Sequence, residues 1–261
     1  MDLLKKLREA TFAPLKDCKD ALVEANGDLD VAKNILKEKG ILKAGKKADR
    51  ETNEGLIKVD KKDGKIVALK LLCETDFVAK NETFLELIEV LLDKLFLEWT
   101  VVSSLGDIDT VLLDSLNGIV AEFVGKIGEN VQLGDIVITE DNAFVYNHPG
   151  NKVASIVFYE GEWEDVAKEV ALQVAAMDPT YLSIDSVPGD YYNELKVKFE
   201  EEMKDSGKPE NIIGQIIKGK INKTLSEFVL LEQEYIRDGS KKIKDILPEG
   251  FDVVKYLRFA I

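Results

Sequence analysis

From Ile66 the chain runs Ile-Val-Ala-Leu-Lys-Leu-Leu-Cys almost without a polar break, and just beyond Cys73 the apolar spacing changes from that of a strand to that of a helix. Upstream, Leu56-Ile57-Lys58-Val59-Asp60 and the turn Lys61-Lys62-Asp63-Gly64 lead into the same run, so Leu56 to Cys73 reads as a β-hairpin. Downstream, apolar positions from Phe84 to Trp99 recur at helical spacing and predict a helix over Glu82 to Glu98; a second helical segment runs from Ile108 to Ile127 and stops at Gly128. Between strand and helix lies Thr75-Asp76-Phe77-Val78-Ala79-Lys80-Asn81, a corner whose last residue can cap the helix that follows.

Before the hairpin, the pattern predicts three short helices. The first covers Asp2 to Glu9, the second starts near Pro14 and reaches Ala25, and Asn26-Gly27-Asp28 turns and caps a third that Gly40 stops. Leu15, Cys18, Leu22 and Ala25 with Val31, Ile35 and Leu36 are spaced to share a small core. After Gly128 an order of sheet then helix recurs: strands near Val131 to Thr139, Ala143 to Tyr146 and Val153 to Tyr159, then a helix from Trp163 to Met177 that Pro179 ends. Tyr191 to Ser206 and Pro209 to Phe228 form a helical hairpin around Gly207-Lys208, with Ile212, Ile216, Leu225 and Phe228 on one side. The final stretch, Asp252 to Ile261, reads as a strand that returns to a sheet upstream of that hairpin.

The fold class is therefore α+β. It comprises a three-helix module (1–42) suited to docking, a basic stretch (43–54), a core of two related subdomains with antiparallel sheets (55–140; 141–187 with 229–261), and an inserted coiled-coil-like arm (188–228). The basic stretch fits either a linker or an exposed helix, and the arm either a spacer or a partner surface, a homodimer contact included.

Composition narrows the function. The 261 residues carry 49 acids against 35 Lys and Arg, a net charge of −14 that repels phosphate backbones and anionic lipid, so neither nucleic acid nor membrane is an expected partner. Lys43 to Arg50 is the one basic cluster and has no aromatics among its lysines. No apolar stretch is long enough to span a bilayer and the start has no leader pattern, which predicts a cytoplasmic, soluble protein. Cys18 and Cys73 lie in apolar surroundings and read as buried thiols.

Catalytic chemistry finds little support. His148, the single histidine, sits in Tyr146-Asn147-His148-Pro149-Gly150 at a turn, with no nucleophile motif beside it. Gly125-Lys126-Ile127-Gly128 ends a helix and lacks the Ser or Thr of a phosphate loop, and no metal-ligand spacing occurs. A carboxylate pair among the many acids remains open. No cofactor is expected. Phe77 has two readings, a core aromatic beside a capping acid or an aromatic presented for insertion into a partner.

Taken together, the motifs resemble the translation elongation factor Ts family of bacteria and organelles. The resemblance rests on Leu7-Arg8-Glu9-Ala10-Thr11, Asp17 to Leu22 and Ala25 to Asp28; on Thr75 to Asn81; on Tyr146 to Val157 and Val174 to Leu182; and on Gly207 to Glu210, Asn222-Lys223 and Leu230 to Gln233. It implies a nucleotide exchange factor, without covalent chemistry of its own, for the GTPase elongation factor Tu. In that role Thr75, Asp76, Phe77 and Val78 bind the partner and disturb its magnesium and phosphate sites, with Phe77 as a wedge between helices and Asp76 acting on the magnesium coordination. The N-terminal helices would dock on the GTPase domain through Arg8, Leu15 and Lys16, and His148 and Gln173 would face another domain. An interaction protein that holds the GTPase without accelerating exchange is the alternative.

Three departures stand out. Phe12 and Pro14 replace usual glycines, so the loop between the first two helices should be stiffer; Gln173 stands where some members have histidine; and the chain ends at Ile261, where some members continue into a helical module, so that tail's contribution to binding is expected to be absent.

Overall fold

The computed structural model describes residues 2–11, 13, 15–45, 47–98, 100–204, 206–207 and 209–261. The expectations that rest on Phe12, Pro14, Lys46, Trp99, Asp205 and Lys208 lie outside the described residues. The chain divides into two compact units, one formed by 1–141, 147–153 and 259–261, the other by 142–146 and 154–258.

In the first unit, α1 (Asp2–Thr11), α2 (Leu15–Glu24) and α3 (Leu29–Gly45) surround a core of Leu7, Ala13, Cys18, Ala21, Ala25 and Ala32. The small side chains let the helices close on one another without long apolar residues. Leu15 and Val31, expected in this core, are instead exposed. Asp28 caps α3 as the turn pattern predicts, its Oδ1 accepting the N–H groups of Asp30 (2.9 Å) and Val31 (3.0 Å).

Gly40 does not stop α3, which continues to Gly45. Its role is in packing. The helix α6 (Thr110–Ile127) crosses α3 here, and a Cβ placed on Gly125 would lie 3.0 Å from the Gly40 Cα. The two glycines allow backbone-to-backbone approach, and a Lys37–Glu122 ion pair spans the same crossing.

Strands β1 (Glu54–Lys62) and β2 (Lys65–Cys73) pair antiparallel from Glu54↔Cys73 to Lys62↔Lys65. Their two-residue turn places Asp63 (φ 51°) and Gly64 (φ 84°) in the left-handed region, the geometry that suits the twist of a tight hairpin. β3 (Val131–Thr139) pairs antiparallel with β2. β2 is thus the central strand of β1-β2-β3, and its apolar run is buried along nearly its whole length.

After β2 come the one-turn helix α4 (Asp76–Ala79) and α5 (Glu82–Phe96). Phe84, Leu87, Ile88, Leu91, Leu92 and Leu95 of α5 and Leu112, Leu116, Val120, Phe123 and Val124 of α6 bury against one face of the sheet. Each such large side chain contributes about 1.5–3 kcal/mol of burial. The free edge of β1 is covered by 147–153. The Asn147 amide accepts from Val59 N–H (2.9 Å) and donates to Val59 C=O (2.8 Å), while Ile57 N–H donates to Asn151 C=O (2.7 Å).

In the second unit, β4 (Ala143–Asn147), β5 (Val153–Glu160) and the C-terminal β8 (Asp252–Ala260) form a sheet in the order β4-β5-β8. The last strand therefore does return to an earlier sheet. Helix α7 (Glu164–Met177) ends with Asp178 at φ 44° and contributes Val170, Ala171 and Val174 to a core with Val157, Leu230 and Ile243. The hairpin α8 (Gly189–Met203) and α9 (Glu210–Leu225) closes on Leu195, Phe199 and Met203 against Ile217, Ile221 and Leu225. Ile212, expected on the packed side, is exposed because the buried stripe on α9 runs through Ile217 and Ile221. A small unforeseen hairpin, β6 (Glu234–Tyr235) with β7 (Asp238–Lys242), follows the arm.

Candidate partner-binding site

The corner after β2 is a helix of a single turn. Thr75, extended at φ −131°, is its N-cap and its Oγ1 accepts from Val78 N–H (3.4 Å); Lys80 closes it, and Asn81 at once caps α5 through Thr83 N–H (2.8 Å). Two caps within seven residues leave the segment little freedom to rotate about its axis. With Ala79 buried and Val78 packed on the core, the helical phase turns Phe77 outward, where 81% of its surface is exposed. An aromatic kept in water forgoes about 1.5–3 kcal/mol of burial, so the fold spends stability to present it.

Asp76 is held by its own element. Lys80 Nζ donates to Asp76 Oδ2 at 2.8 Å across one helical turn. That hydrogen bond holds the Asp76 carboxyl below the usual aspartate range and raises the Lys80 ammonium above the usual lysine range. Behind the turn, Cys73 donates to Thr75 C=O (3.2 Å), and burial, with the nearby Glu129 charge, pushes its thiol up to about 11. It is an inert structural thiol.

Two carboxylates fasten the base of the turn. Glu74 accepts Asn130 N–H (2.6 Å) and pairs with Arg50 (3.3 Å); the hydrogen bond from Asn130 holds its carboxyl below the ordinary glutamate value. Glu129 accepts from both Thr75 N–H (3.0 Å) and Thr75 Oγ1 (2.8 Å).

A matching family model decides which protein presents this turn: the model described as Elongation factor TS covers residues 74–261, which begin at the turn itself. The chain belongs to the elongation factor Ts family. Over 99% of its length it is 42% identical to an elongation factor Ts of Hydrogenobaculum sp., covering 97% of that protein. It is 38% identical to the elongation factor Ts of Halothermothrix orenii, over 99% of this chain and 90% of the relative. The corresponding figures for Aquifex aeolicus are 36%, 100% and 97%.

Among the other sequence candidates, Arg8 on α1 and Leu15 and Lys16 at the start of α2 are exposed, with Leu15 at 53%. His148 is exposed on the 147–153 turn, where its backbone pairs with Val153 and Asn151. Gln173 requires a correction. It belongs to the second unit and is wholly buried, so its side chain presents nothing to a partner. Its Nε2 donates to Gln233 Oε1 (3.2 Å) and Glu234 C=O (3.0 Å), and its Oε1 accepts from Ile236 N–H (3.0 Å). Gln233 in turn donates to Met177 C=O (3.3 Å) and Glu227 C=O (3.0 Å). The pair ties α7 to the chain leaving the arm.

Sequence reasoning passed over Glu74, Glu129, Asn130 and Asn147. Gly128-Glu129-Asn130 is legible as a helix stop, but nothing in the sequence connects it with Thr75. Among the described residues no group of three or more His, Cys, Asp or Glu side chains is placed to hold a metal ion, and no helix is long and apolar enough to cross a membrane.

Proposed function

We propose that this chain is the guanine nucleotide exchange factor of elongation factor Tu, acting on the GDP-bound GTPase to support translation elongation, with no covalent step of its own. The observation that carries this reading is Phe77, an exposed ring on a turn capped at both ends, in a chain of the elongation factor Ts family. The ring inserts between helices of the GTPase near its magnesium and phosphate sites. Burying it there recovers about 1.5–3 kcal/mol, enough to favour a partner conformation that binds nucleotide roughly ten- to a hundredfold more weakly. Asp76, freed from Lys80 on contact, brings a carboxylate towards the magnesium coordination. Thr75 and Val78 hold the turn that carries both.

The exposed Arg8, Leu15 and Lys16 of the N-terminal helices supply further contacts, and His148 another. Because the coupling is reciprocal, GDP weakens the factor by the same free energy that the factor weakens GDP, so incoming nucleotide expels it. The test is a titration of labelled-GDP release from elongation factor Tu with this protein. Release should accelerate with added factor; binding without acceleration would leave only a holding, chaperone-like role.

A further inference from the structure

A one-turn helix cannot hold itself. Nucleation fixes several dihedrals for a single hydrogen bond, and α4, four residues long, has no further turns to repay that cost. Its N-cap is moreover half-built. In a capping box the N-cap hydroxyl binds the N3 backbone and an N3 Glu or Gln reaches back to the N-cap N–H. Here N3 is Val78, which packs against the core and has no acceptor.

We infer that Glu129, 54 residues further along the chain, supplies the missing half of this cap and is the positioning residue of the Phe77 turn. Its Oε2 accepts the Thr75 N–H at 3.0 Å and its Oε1 the Thr75 hydroxyl at 2.8 Å. The hydroxyl thereby has its proton committed and a lone pair aimed at Val78 N–H. Both partners are donors, so the site calls for a group that only accepts. A carboxylate accepts from both; an amide accepts from only one. The amide N–H can be met by the hydroxyl only if Thr75 Oγ1 turns from donor to acceptor and its proton is no longer committed to this residue.

The geometry around Glu129 is built for this. Gly128, at φ 87°, ends α6 and turns the chain, and Val131 then pairs with Cys73 in the β2–β3 ladder. Between these points the two strands exchange side-chain bonds in place of backbone ones. Glu74 takes the Asn130 N–H, while Glu129 takes the Thr75 N–H. The Asn130 side chain adds a bond to Arg50 C=O (2.8 Å), tying the clasp to the segment before β1. The ladder is continued by two carboxylates to the first residue of the turn, so the sheet adds to the packing of Val78 and Ala79 in setting the direction of Phe77. This inference rests on the exchange reading above, because it gives the ring a direction worth fixing; preorganisation lowers the ordering cost of insertion.

The test is a double-mutant cycle read in GDP release from elongation factor Tu, using the full chain. Glu129→Ala should slow stimulated release about tenfold and Glu129→Gln about threefold, while in a Phe77→Ala background Glu129→Ala should change it less than about twofold. Amide hydrogen exchange at Thr75 and Val78 should quicken in both Glu129 variants with Leu69 on β2 still protected. Losses that multiply in the two backgrounds, or unaltered release with the clasp broken, would overturn the positioning role. If Glu129→Ala fails to fold, Glu129→Gln carries the same cycle. If Phe77→Ala itself releases GDP at the normal rate, the exchange reading fails; the clasp is then judged by amide exchange alone, and unchanged protection at Thr75 overturns it too.

Discussion

Phe77 and Gln173 break the inside–outside rule in opposite directions. One is an apolar ring at 81% exposure, the other a polar amide at 0%. Either placement costs free energy unless something offsets it. For Gln173 the offset is visible within the fold: both ends of its amide are hydrogen-bonded and its donor group is shared between two acceptors. For Phe77 nothing in the chain offsets the exposure, although the structure around it is tightly arranged by two caps and a carboxylate clasp. A violation settled internally is architecture. One left open on an ordered scaffold is what the proposed insertion into a partner would settle.

The comparison is broken most forcefully at the buried member. Gln173→Leu keeps the volume but leaves Gln233 Oε1, Glu234 C=O and Ile236 N–H without their partner, and should lower unfolding stability by about 2–4 kcal/mol. A denaturant titration checks this; a loss within experimental error would mean the amide network is dispensable and Gln173 free for another role. Phe77→Ala is the mirror case. It should slow stimulated GDP release by about tenfold or more, while stability stays within about 0.5 kcal/mol of the parent because the ring touches little in the free protein. Stopped-flow release and thermal melts on the same sample separate the two effects.

Lys80→Ala sharpens the exposed side of the comparison. The pair it breaks is solvent-exposed, so release should change by less than about threefold in either direction. The Asp76 carboxyl should meanwhile titrate higher, back towards the usual aspartate range, as followed by carboxyl chemical shifts. An unmoved Asp76 would show that Lys80 does not hold it. The smallest effect concerns Glu74. Its carboxyl is held below the ordinary value by the Asn130 N–H, so the stabilisation it lends is present above the unfolded-state value and disappears as pH falls through the lower, folded one. The Asn130 amide proton should report that step in an NMR titration, with its midpoint below that of an unperturbed glutamate. A midpoint at the unperturbed value would remove the clasp from solution.

Much of the scaffold was legible because it follows from local pattern. The buried run of β2, the Asp63-Gly64 turn, the Asn81 cap and the α5 and α6 stripes each depend on residues within a few positions of one another. The errors have a common source. Gly40 reads as a helix stop, yet it is the point at which α3 meets Gly125 of α6. Gln173 reads as a surface group at a position varied in the family, yet its partners lie some 60 residues on. The small β6–β7 hairpin carries no strong alternation to announce it.

By itself, then, the sequence determined most of the elements, the α+β class and the Thr75–Asn81 motif with its family, because periodicity, caps and turn chemistry are written in neighbouring residues. The tertiary structure shows Phe77 outside, as the wedge reading of the motif expects, and it alone decided that Gln173 stands inside and that Glu129 completes the cap on Thr75. Burial and hydrogen-bond partnership are properties of the space around a side chain, and that space is filled by residues far away in the chain.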